Sequence, residues 1–372
     1  MTGMLDFAFL GLSLRSAWGN GHATTYRALL RALLRRGHRV RFYERDRSWY
    51  ADNQDLPDDL ASCLRLYDGL ESLREQHGRD IAAADVVVLG SFVPEGARVA
   101  DWLLRAAHGI TAFYDIDTPV TMAMLREGQC DYLRAEQIAD FRLYLSFTGG
   151  PFLEHLCCRY GARAEPLYCA VDAQQYAPSR ASSRYDLGYL GTYSVDRQPL
   201  LQRFLLELAE AWPGGRFAVA GPQYPDAIGW PRNVTRIEHL APARHRAFYT
   251  SQRFTLNLTR ADMVAAGWSP SVRLFEAAAC GVPIISDVWP GIDTFFAPGE
   301  EILLAREPVQ VLEWLRNMPE PRRRALGAAA RRRVLAEHTA DHRARTLERY
   351  IDRAVPRRSV VRSNRSICHD SA

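Results

Sequence analysis

Apolar stretches alternate with amphipathic stretches along most of the chain. The stretch ADVVVLG (84–90) is almost entirely apolar, which is typical of a parallel strand covered by helices on both faces. The stretch HATTYRALLRALLRRG (22–37) repeats Leu and Ala at intervals of three and four, which predicts an amphipathic helix. A strand precedes this helix and another follows it, so the right-handed crossover rule implies a parallel sheet.

The alternation occurs in two series. The first series predicts strands at 7–12, 38–44, 84–90, 109–115 and 143–147, with helices at 22–37, 95–107 and 151–160. The second series predicts strands at 185–191, 216–221, 234–240, 254–258 and 281–287, with a helix at 198–211. Two such series predict an α/β chain with two Rossmann-like, doubly wound domains that face each other across a cleft.

A segment rich in Ser, Ala and Pro separates the two series and is the predicted linker. We therefore predict an N-terminal domain at 1–170, a linker at 171–186 and a C-terminal domain at 187–338. A C-terminal helix at 339–355 and a disordered tail at 356–372 complete the chain. The arginine run RRRALGAAARRR is expected to be the solvated face of a helix.

The composition of the 372 residues narrows the chemistry. The 47 basic and 43 acidic side chains give a net charge of only +4, which does not indicate nucleic-acid binding. The chain contains no lysine, so a Walker P-loop and Schiff-base or pyridoxal chemistry are excluded. Any phosphate must be held by arginine, hydroxyl or backbone N–H groups.

The cysteines and the apolar segments indicate a location. The seven cysteines form no CxxC motif, which favours reduced thiols in a cytoplasmic protein. No basic segment precedes the first apolar run, so a signal peptide is not expected. No apolar stretch approaches the roughly 20 residues of a membrane span, so no transmembrane segment is expected.

Polar residues crowd the start of one predicted helix, in the stretch SPSVRLFEAAACGVPIISD that begins at Ser269. Pro270 fits an early helix position, and Ser269 or Ser271 can be the N-cap. A helix start offers free N–H groups and a positive dipole to a diphosphate. Arg273 adds a planar fork for phosphate oxygens. The pattern, with Glu276 one turn later, therefore predicts a site that holds an anion and a sugar.

This stretch contains E-A-x-x-C-G-x-P and resembles GT-B glycosyltransferases, specifically the spore-maturation CgeB-like group. The resemblance extends through TRADMVAAGW upstream and DTFFAPGEEILLA downstream, and more loosely to WGNGHATTYRALLRALLRRGH near the N-terminus. It implies a GT-B fold and a metal-independent hexosyltransferase-like enzyme without a cofactor. It further implies that a nucleotide-sugar donor binds in the C-terminal half and gives its sugar to a hydroxyl-bearing acceptor in the cleft.

The resemblance also assigns residues to the donor side. Glu276 is similar to the acid that binds the nucleotide ribose; a plain surface acid is the structural alternative. In many retaining relatives a second Glu lies eight positions earlier, where this chain has Trp268. Such relatives often have an Arg and a Lys after the first strand of the C-terminal domain, where this chain has Thr192 and Arg197. Stereochemical retention or inversion therefore stays open. The expected donor-side residues are Gly191, Thr192, Tyr193, Arg197, Arg260, Ser269, Ser271, Arg273 and Glu276.

The acceptor side is expected at the loop Trp18, Gly19, Asn20 and Gly21, which leads to His22. His22 resembles in position the first-loop histidine of inverting GT-B enzymes, which deprotonates the acceptor hydroxyl; a helix-terminal histidine is the structural alternative. A base of this kind needs an orienting acid.

Asp115 and Asp117, at a strand end, are the candidates for that acid, or are simple turn residues. Their spacing is also found in metal-dependent transferases of another fold. Those enzymes bind the metal beside the nucleotide, whereas this pair falls in the acceptor half, so no metal is expected.

Four aromatic residues and two other functions complete the predictions. Tyr224 and Trp230 are candidates to border the base pocket, and His239 and His245 are expected to be structural or solvent-exposed. A non-catalytic relative that binds nucleotide sugar or polysaccharide is one alternative, and the Trp268 departure supports it. A GT-B-fold nucleotide-sugar epimerase is the other.

Overall fold

The computed structural model describes residues 3–18, 21–179 and 182–355. The predicted tail at 356–372 lies outside the described residues. The described residues form two parallel sheets flanked by helices.

The N-terminal domain contains the first sheet and its covering helices. Its strands are β1 (Asp6–Leu10), β2 (Arg39–Arg45), β3 (Leu64–Tyr67), β4 (Val86–Gly90), β5 (Ile110–Asp115), β6 (Leu143–Ser146) and β7 (Ala164–Pro166). Its helices are α1 (His22–Arg35), α2 (Ser48–Asp52), α3 (Asp58–Ala61), α4 (Leu70–Ala82), α5 (Gly96–Ala106), α6 (Thr118–Arg126) and α7 (Gly150–Tyr160), with a 3-10 turn at Ala135–Asp140. The strand order is β3-β2-β1-β4-β5-β6-β7.

The C-terminal domain repeats this architecture. Its strands are β8 (Tyr185–Leu190), β9 (Phe217–Ala220), β10 (Val234–Ile237), β11 (Gln252–Asn257), β12 (Ile284–Ser286) and β13 (Leu303–Leu304). Its helices are α8 (Gln198–Leu201), α9 (Glu207–Ala211), α10 (Pro242–Thr250), α11 (Ala261–Ala266), α12 (Val272–Ala279), α13 (Pro308–Asn317), α14 (Glu320–Glu337) and α15 (Ala340–Ala354). A π-helical turn at Gln202–Leu206 joins α8 to α9, and a 3-10 turn lies at Ile292–Thr294. The strand order is β10-β9-β8-β11-β12-β13.

All strand pairs in both sheets are parallel, as the buried apolar runs predict. In each sheet the chain winds outward in both directions from a central pair of strands, β1 and β4 or β8 and β11. Ligands of such sheets bind beyond the carboxyl ends of the strands at this switch point. The two domains place these ends toward each other.

Three strands were not predicted, and each is short or lies at an edge. β3 is an edge strand that exposes Arg65 and Leu66, so it has no regular alternation. β7 and β13 have three and two residues, respectively, which is too short for a periodic signal. The second sheet begins at Tyr185, two residues before the predicted domain start.

The chain crosses between the domains twice, and the two crossings pair with each other. The Ala340 N–H donates to the Val171 carbonyl at 2.9 Å, and the Val171 N–H donates to the His338 carbonyl at 3.4 Å. The second crossing returns α15 to the N-terminal domain, where it packs on α1. Helix α15 therefore belongs spatially to the first domain.

Two further features of the fold concern membrane-spanning helices and disulfides. Within the part of the chain that the structure describes, no helix is long and apolar enough to cross a membrane. The six described cysteines are free thiols.

Candidate active site

A cleft of about 630 Å³ lies between the two sheets and is lined from both domains. It opens at the carboxyl ends of the strands, next to the switch points. Most of the predicted site residues line it: Gly21, His22, Asp117, Gly191, Thr192, Tyr193, Arg197, Arg260, Ser269, Ser271, Arg273 and Glu276.

A buried acid fixes the loop that carries the acceptor-side residues. Glu44 on β2 accepts the N–H groups of Leu14 at 2.6 Å and Arg15 at 2.9 Å, and the hydroxyl of Ser13 at 3.1 Å. Burial raises the pKa of Glu44, although these hydrogen bonds favour its charged form. The loop then delivers His22 to the first position of α1.

His22 forms a pair with Asp117. Its Nε2 lies 3.4 Å from Asp117 Oδ2, and the two side chains are 15% and 23% exposed. Burial alone would raise the pKa of Asp117. The hydrogen bond with His22 and the charges of His22, Arg260 and Arg197 outweigh burial, so the pKa of Asp117 lies below its ordinary value. Asp117 therefore stays ionised and orients the imidazole.

Asp115 does not contact His22 directly. It is fully buried at the end of β5, where Tyr144 and Thr121 donate hydroxyl hydrogen bonds to its carboxylate, the latter at 2.8 Å. Burial raises its pKa to about 6, despite these two hydrogen bonds. Of the two candidate orienting acids, the structure brings only Asp117 to the histidine.

The helix start on the donor side differs in detail from the prediction. α12 begins at Val272, so Pro270 precedes the helix and is not an early helical residue. Ser271 stands at the N-cap position, but its hydroxyl donates to Asn257 Oδ1 at 2.7 Å and caps no N–H group. Ser269 is not the N-cap. Because no side chain caps α12, its first N–H groups can bind an anion.

Arg273 serves mainly as a brace between two strand ends. Its Nε donates to the Leu190 carbonyl, and its Nη1 donates to Asn257 Oδ1 at 2.8 Å and to the Leu258 carbonyl at 3.5 Å. Its guanidinium lies 4.7 Å from the centre of the Tyr189 ring. The predicted fork for phosphate is therefore largely occupied by protein acceptors, although Arg273 still lines the cleft.

Two other arginines have more capacity for an anion. Arg260 Nη1 lies 3.8 Å from Asp117 Oδ2 across the cleft, and its Nε lies 4.0 Å from Asp196 Oδ2. Arg197 donates from Nη2 to the Thr192 carbonyl at 2.8 Å. The Arg260 side chain is 37% exposed, and both arginines line the cleft, where they can donate to phosphate oxygens.

Glu276 is buried at the wall of the cleft with 3% exposure. The Tyr249 hydroxyl donates to its Oε2 at 2.8 Å, and His245 Nδ1 lies 3.9 Å from the same oxygen. The hydroxyl of Tyr176 lies 3.2 Å from that imidazole nitrogen. This aromatic network fixes the carboxylate, so the surface-acid alternative does not describe Glu276.

The loop after β8 completes the donor side. Gly191 packs so closely that an added Cβ would lie 2.8 Å from Arg273 Nη2. Tyr193 contacts Tyr224 edge-on, with ring centroids 5.6 Å apart. Tyr224 in turn contacts Trp230 at 5.5 Å. Tyr224 and Trp230 therefore support the cleft residue Tyr193 and do not themselves line the cleft.

An aromatic contact joins the domains at one end of the cleft. The rings of Trp18 and His239 lie 3.8 Å apart, and Trp49 lies 6.3 Å from Trp18. His239 and His245 both line the cleft, and His245 is also held by contacts with the Tyr176 hydroxyl and the Leu240 carbonyl. The predicted loop residues Gly19 and Asn20 lie outside the described residues.

A second polar contact across the cleft joins Thr148 and Ser269, whose hydroxyl oxygens are 2.9 Å apart. Together with the approach of Arg260 to Asp117, it joins the two domains across the cleft. Among the residues described, no group of three or more His, Cys, Asp or Glu side chains is arranged to hold a metal ion.

Several site residues were not predicted. Asn257 accepts from both Ser271 and Arg273, and Tyr249 holds Glu276. A polar residue that ends an apolar strand was the available signal for Asn257. Tyr249 carried no signal, because its contact joins residues 27 positions apart in sequence.

Comparison with known proteins adds a family and a fold. Residues 197–349 match the family described as glycosyl transferase-like. No curated protein matches the sequence significantly. Sucrose-phosphate synthase from Thermosynechococcus elongatus is 13% identical, with a TM-score of 0.64 over 94% of this chain and 98% of its own.

Two further structures cover 94% of this chain and 100% of their own at 10% identity. HepE of Anabaena, solved with UDP and glucose, has a TM-score of 0.67. An alpha-glucosyltransferase solved with UDP-glucose and DNA that contains an abasic site has a TM-score of 0.68. The chain therefore has the GT-B fold of these glycosyltransferases, and its residues 197–349 match the glycosyl transferase-like family.

Proposed function

We propose that the protein transfers a sugar from a nucleotide-sugar donor to the hydroxyl group of an acceptor. The observation that carries the proposal is the arrangement of charge across one cleft. A His22–Asp117 pair lies on the N-terminal side, and Arg260, Arg197 and the uncapped start of α12 lie opposite. A base and an anion site that face each other suit displacement of a nucleoside diphosphate.

In this proposal the proton of the acceptor moves to the N-terminal domain, and the diphosphate leaves on the side of the C-terminal domain. The imidazole of His22, held by Asp117, takes the proton of the acceptor hydroxyl. The acceptor oxygen forms a bond to the anomeric carbon as the bond to the diphosphate breaks. Arg260, Arg197 and the N–H groups of α12 stabilise the charge of the departing diphosphate. The 3.4 Å His22–Asp117 distance is compatible with a pair that tightens on binding.

Glu276 would hold the ribose of the donor. The hydrogen bond from Tyr249 leaves the other carboxylate oxygen, Oε1, as an acceptor at the cleft wall. A carboxylate that accepts ribose hydroxyl groups forms charge-assisted hydrogen bonds, which are stronger than neutral ones.

A base at His22 predicts inversion at the anomeric carbon and no need for a metal ion. The anomeric configuration of the product, determined by NMR, tests the prediction of inversion. A chelator should leave turnover unchanged. Loss of activity with the chelator, followed by recovery with Mg²⁺ or Mn²⁺, would contradict metal independence.

Replacement of Glu276 by alanine tests the donor assignment. Glu276→Ala should weaken nucleotide-sugar binding by about 1–3 kcal/mol, the scale of a hydrogen bond to a charged group. Nucleotide sugars are first screened by thermal shift, because a ligand of the native state raises its apparent stability. Tyr249→Phe, which keeps the carboxylate, is the matched control and should lose less. Unchanged affinity in folded Glu276→Ala protein would refute the assignment.

Trp268 supports a second candidate, a non-catalytic nucleotide-sugar binder. It stands where retaining relatives have an acid, and its backbone has a positive φ of 43°. A donor-hydrolysis and transfer assay separates the two candidates, since a pure binder releases no nucleotide.

A further inference from the structure

A second cavity, of about 330 Å³, adjoins the cleft behind Glu276. The two cavities share Thr24, Pro242 and Glu276 as lining residues. His22 lines only the first cavity, so the second lies away from the proposed base. A ligand that has its ribose at Glu276 can therefore extend into the second cavity without approaching the reaction centre.

Two aspartates in this second cavity have carboxylate oxygens that accept no hydrogen bond from the described residues: Oδ2 of Asp172 and Oδ2 of Asp55. Asp172 is 4% exposed. Its Oδ1 accepts the Gln174 N–H at 3.1 Å. Among the described residues, the cation near its Oδ2 is the Arg35 guanidinium, whose Nη1 lies 3.9 Å away, too far for a hydrogen bond. Buried carboxylate oxygens without donors are costly. The cavity is therefore short of hydrogen-bond donors.

The arginines of the cavity do not supply these donors. Arg27 donates to the Leu14 carbonyl at 2.8 Å and to Asp55 Oδ1 at 2.6 Å. Arg31 donates to Asp59 Oδ1 at 2.8 Å. Both guanidinium groups are therefore already paired, whereas Oδ2 of Asp172 and Oδ2 of Asp55 are acceptors without a donor among the described residues.

We propose that this cavity receives the nucleobase edge of the donor and selects guanine over uracil. The inference rests on the proposed function, and it identifies the donor as a guanosine diphosphate sugar. A guanine edge carries an N–H and an adjacent amino group, two donors that one carboxylate accepts together. A uracil edge carries a single N–H between two carbonyl oxygens, which would face the carboxylates.

The preference for guanine over uracil follows from the cost of leaving the buried carboxylate oxygens without hydrogen-bond donors. Sites built to bond a donor discriminate strongly against an analogue without it, because the buried acceptor is then left unsatisfied. Adenine presents one amino group beside a ring acceptor and is expected to bind with intermediate affinity. HepE and the alpha-glucosyltransferase were solved with UDP or UDP-glucose. At 10% identity they show the fold alone, so selection of the base depends on the residues of this chain.

Calorimetric titration of the full chain with GDP, UDP and ADP tests the proposal. We expect GDP to bind at least about 10-fold more tightly than UDP, the scale of a hydrogen bond to a charged group. Asp172→Asn should remove most of this preference, because it weakens the acceptor for guanine and relieves the repulsion between the carboxylate and the uracil carbonyl oxygens. Asp58→Asn is the matched control, because Asp58 is an exposed acid on the neighbouring helix α3 and does not line the cavity. It should leave the preference intact.

A second variant keeps the test decisive if Asp172→Asn fails to fold. Ala243 is exposed at the rim of the cavity, on α10. Ala243→Phe should narrow the cavity and lower GDP affinity more than UDP affinity. Equal binding of GDP and UDP, or a preference that survives both variants, would overturn the inference and leave the proposed function in place. Failure of every nucleotide to bind would overturn both.

Discussion

Two aspartates only two residues apart have opposite environments. Asp115 is fully buried, and burial raises its pKa to about 6. Asp117 faces the cleft, where His22 and two arginines lower its pKa against the effect of burial. Opposite shifts in neighbouring acids separate their roles. Asp117 is the charged partner of the histidine, and Asp115 supports the loop that positions it.

His22→Ala should lower kcat by about 100- to 10,000-fold, the usual contribution of a positioned base. Nucleotide-sugar affinity should stay close to wild type, because His22 lies on the acceptor side. Asp117→Asn should produce a smaller loss of kcat, because an amide misorients the imidazole. Steady-state kinetics with a transferable acceptor and calorimetry with the donor measure the two effects. Full activity in folded His22→Ala protein would exclude the base.

Asp115 should make stability depend on pH. Its pKa in the folded state, about 6, lies above its ordinary value of 3.8, so the folded state holds its proton more tightly. The resulting stabilisation is complete below about pH 4 and is lost as the pH rises through 6. Asp115→Asn removes this titration, because the amide of asparagine does not ionise in this pH range. Relative to wild type, its free energy of unfolding should rise by about 1–3 kcal/mol between pH 4 and pH 7. A pH-independent difference in denaturant titrations would contradict this.

At the scale of elements, two glycines accommodate the indole of Trp268. An added Cβ at Gly150, which starts α7, would lie 2.5 Å from the indole, and one at Gly291 would lie equally close. The Gly149 N–H also donates to the Trp268 carbonyl at 3.0 Å. Trp268 therefore packs where the two domains meet, which gives this residue a structural role in place of the acid of retaining relatives.

Gly150→Ala should destabilise the protein by about 2–4 kcal/mol, because a positive φ and an overlap with a ring act together. Gly128→Ala is a matched control. Its φ of 67° is close to the 60° of Gly150, but no atom lies within 4 Å of its added Cβ. That control should cost only about 1 kcal/mol. Equal losses in chemical denaturation would show that Trp268 does not constrain this position.

At the scale of the whole molecule, α15 ties the end of the second domain to the first domain. Glu348 accepts from Arg36 at 2.6 Å and lies 2.7 Å from His38 Nε2. Burial would raise the pKa of Glu348, but the hydrogen bonds and charges of Arg36 and His38 lower it overall. The ion pair therefore stabilises the docked helix above about pH 4 and is lost as the pH falls further.

Glu348→Ala should cost about 2–4 kcal/mol, since it leaves the buried His38 and the partly exposed Arg36 without their acceptor. Asp341 lies on the same helix and pairs with Arg35, but it is 47% exposed. Asp341→Ala should therefore cost less than about 1 kcal/mol. Thermal unfolding of the two variants at neutral pH gives the comparison. A similar small loss in both would mean that α15 docks through its apolar face alone.

The sequence by itself determined the architecture and the general position of the site. Apolar runs and three-four repeats are local patterns, so they predicted the long strands and helices of both domains. Loops at the carboxyl ends of parallel strands lie near each other in any doubly wound sheet. For this reason His22, the segment after β8 and the start of α12 could be placed at one cleft.

Only the tertiary structure decided which side chains of that cleft can bind a ligand and which are already hydrogen-bonded to other protein groups. Asp115 and Asp117 are alike in sequence, but only Asp117 reaches His22. Arg273 was predicted to bind phosphate, and strand ends far away in sequence occupy most of its donors. The cavity that holds Asp172 exists because the interdomain crossing packs beside α1 and α10. Hydrogen-bond pairing and burial depend on contacts between distant segments, and local periodicity contains no information about them.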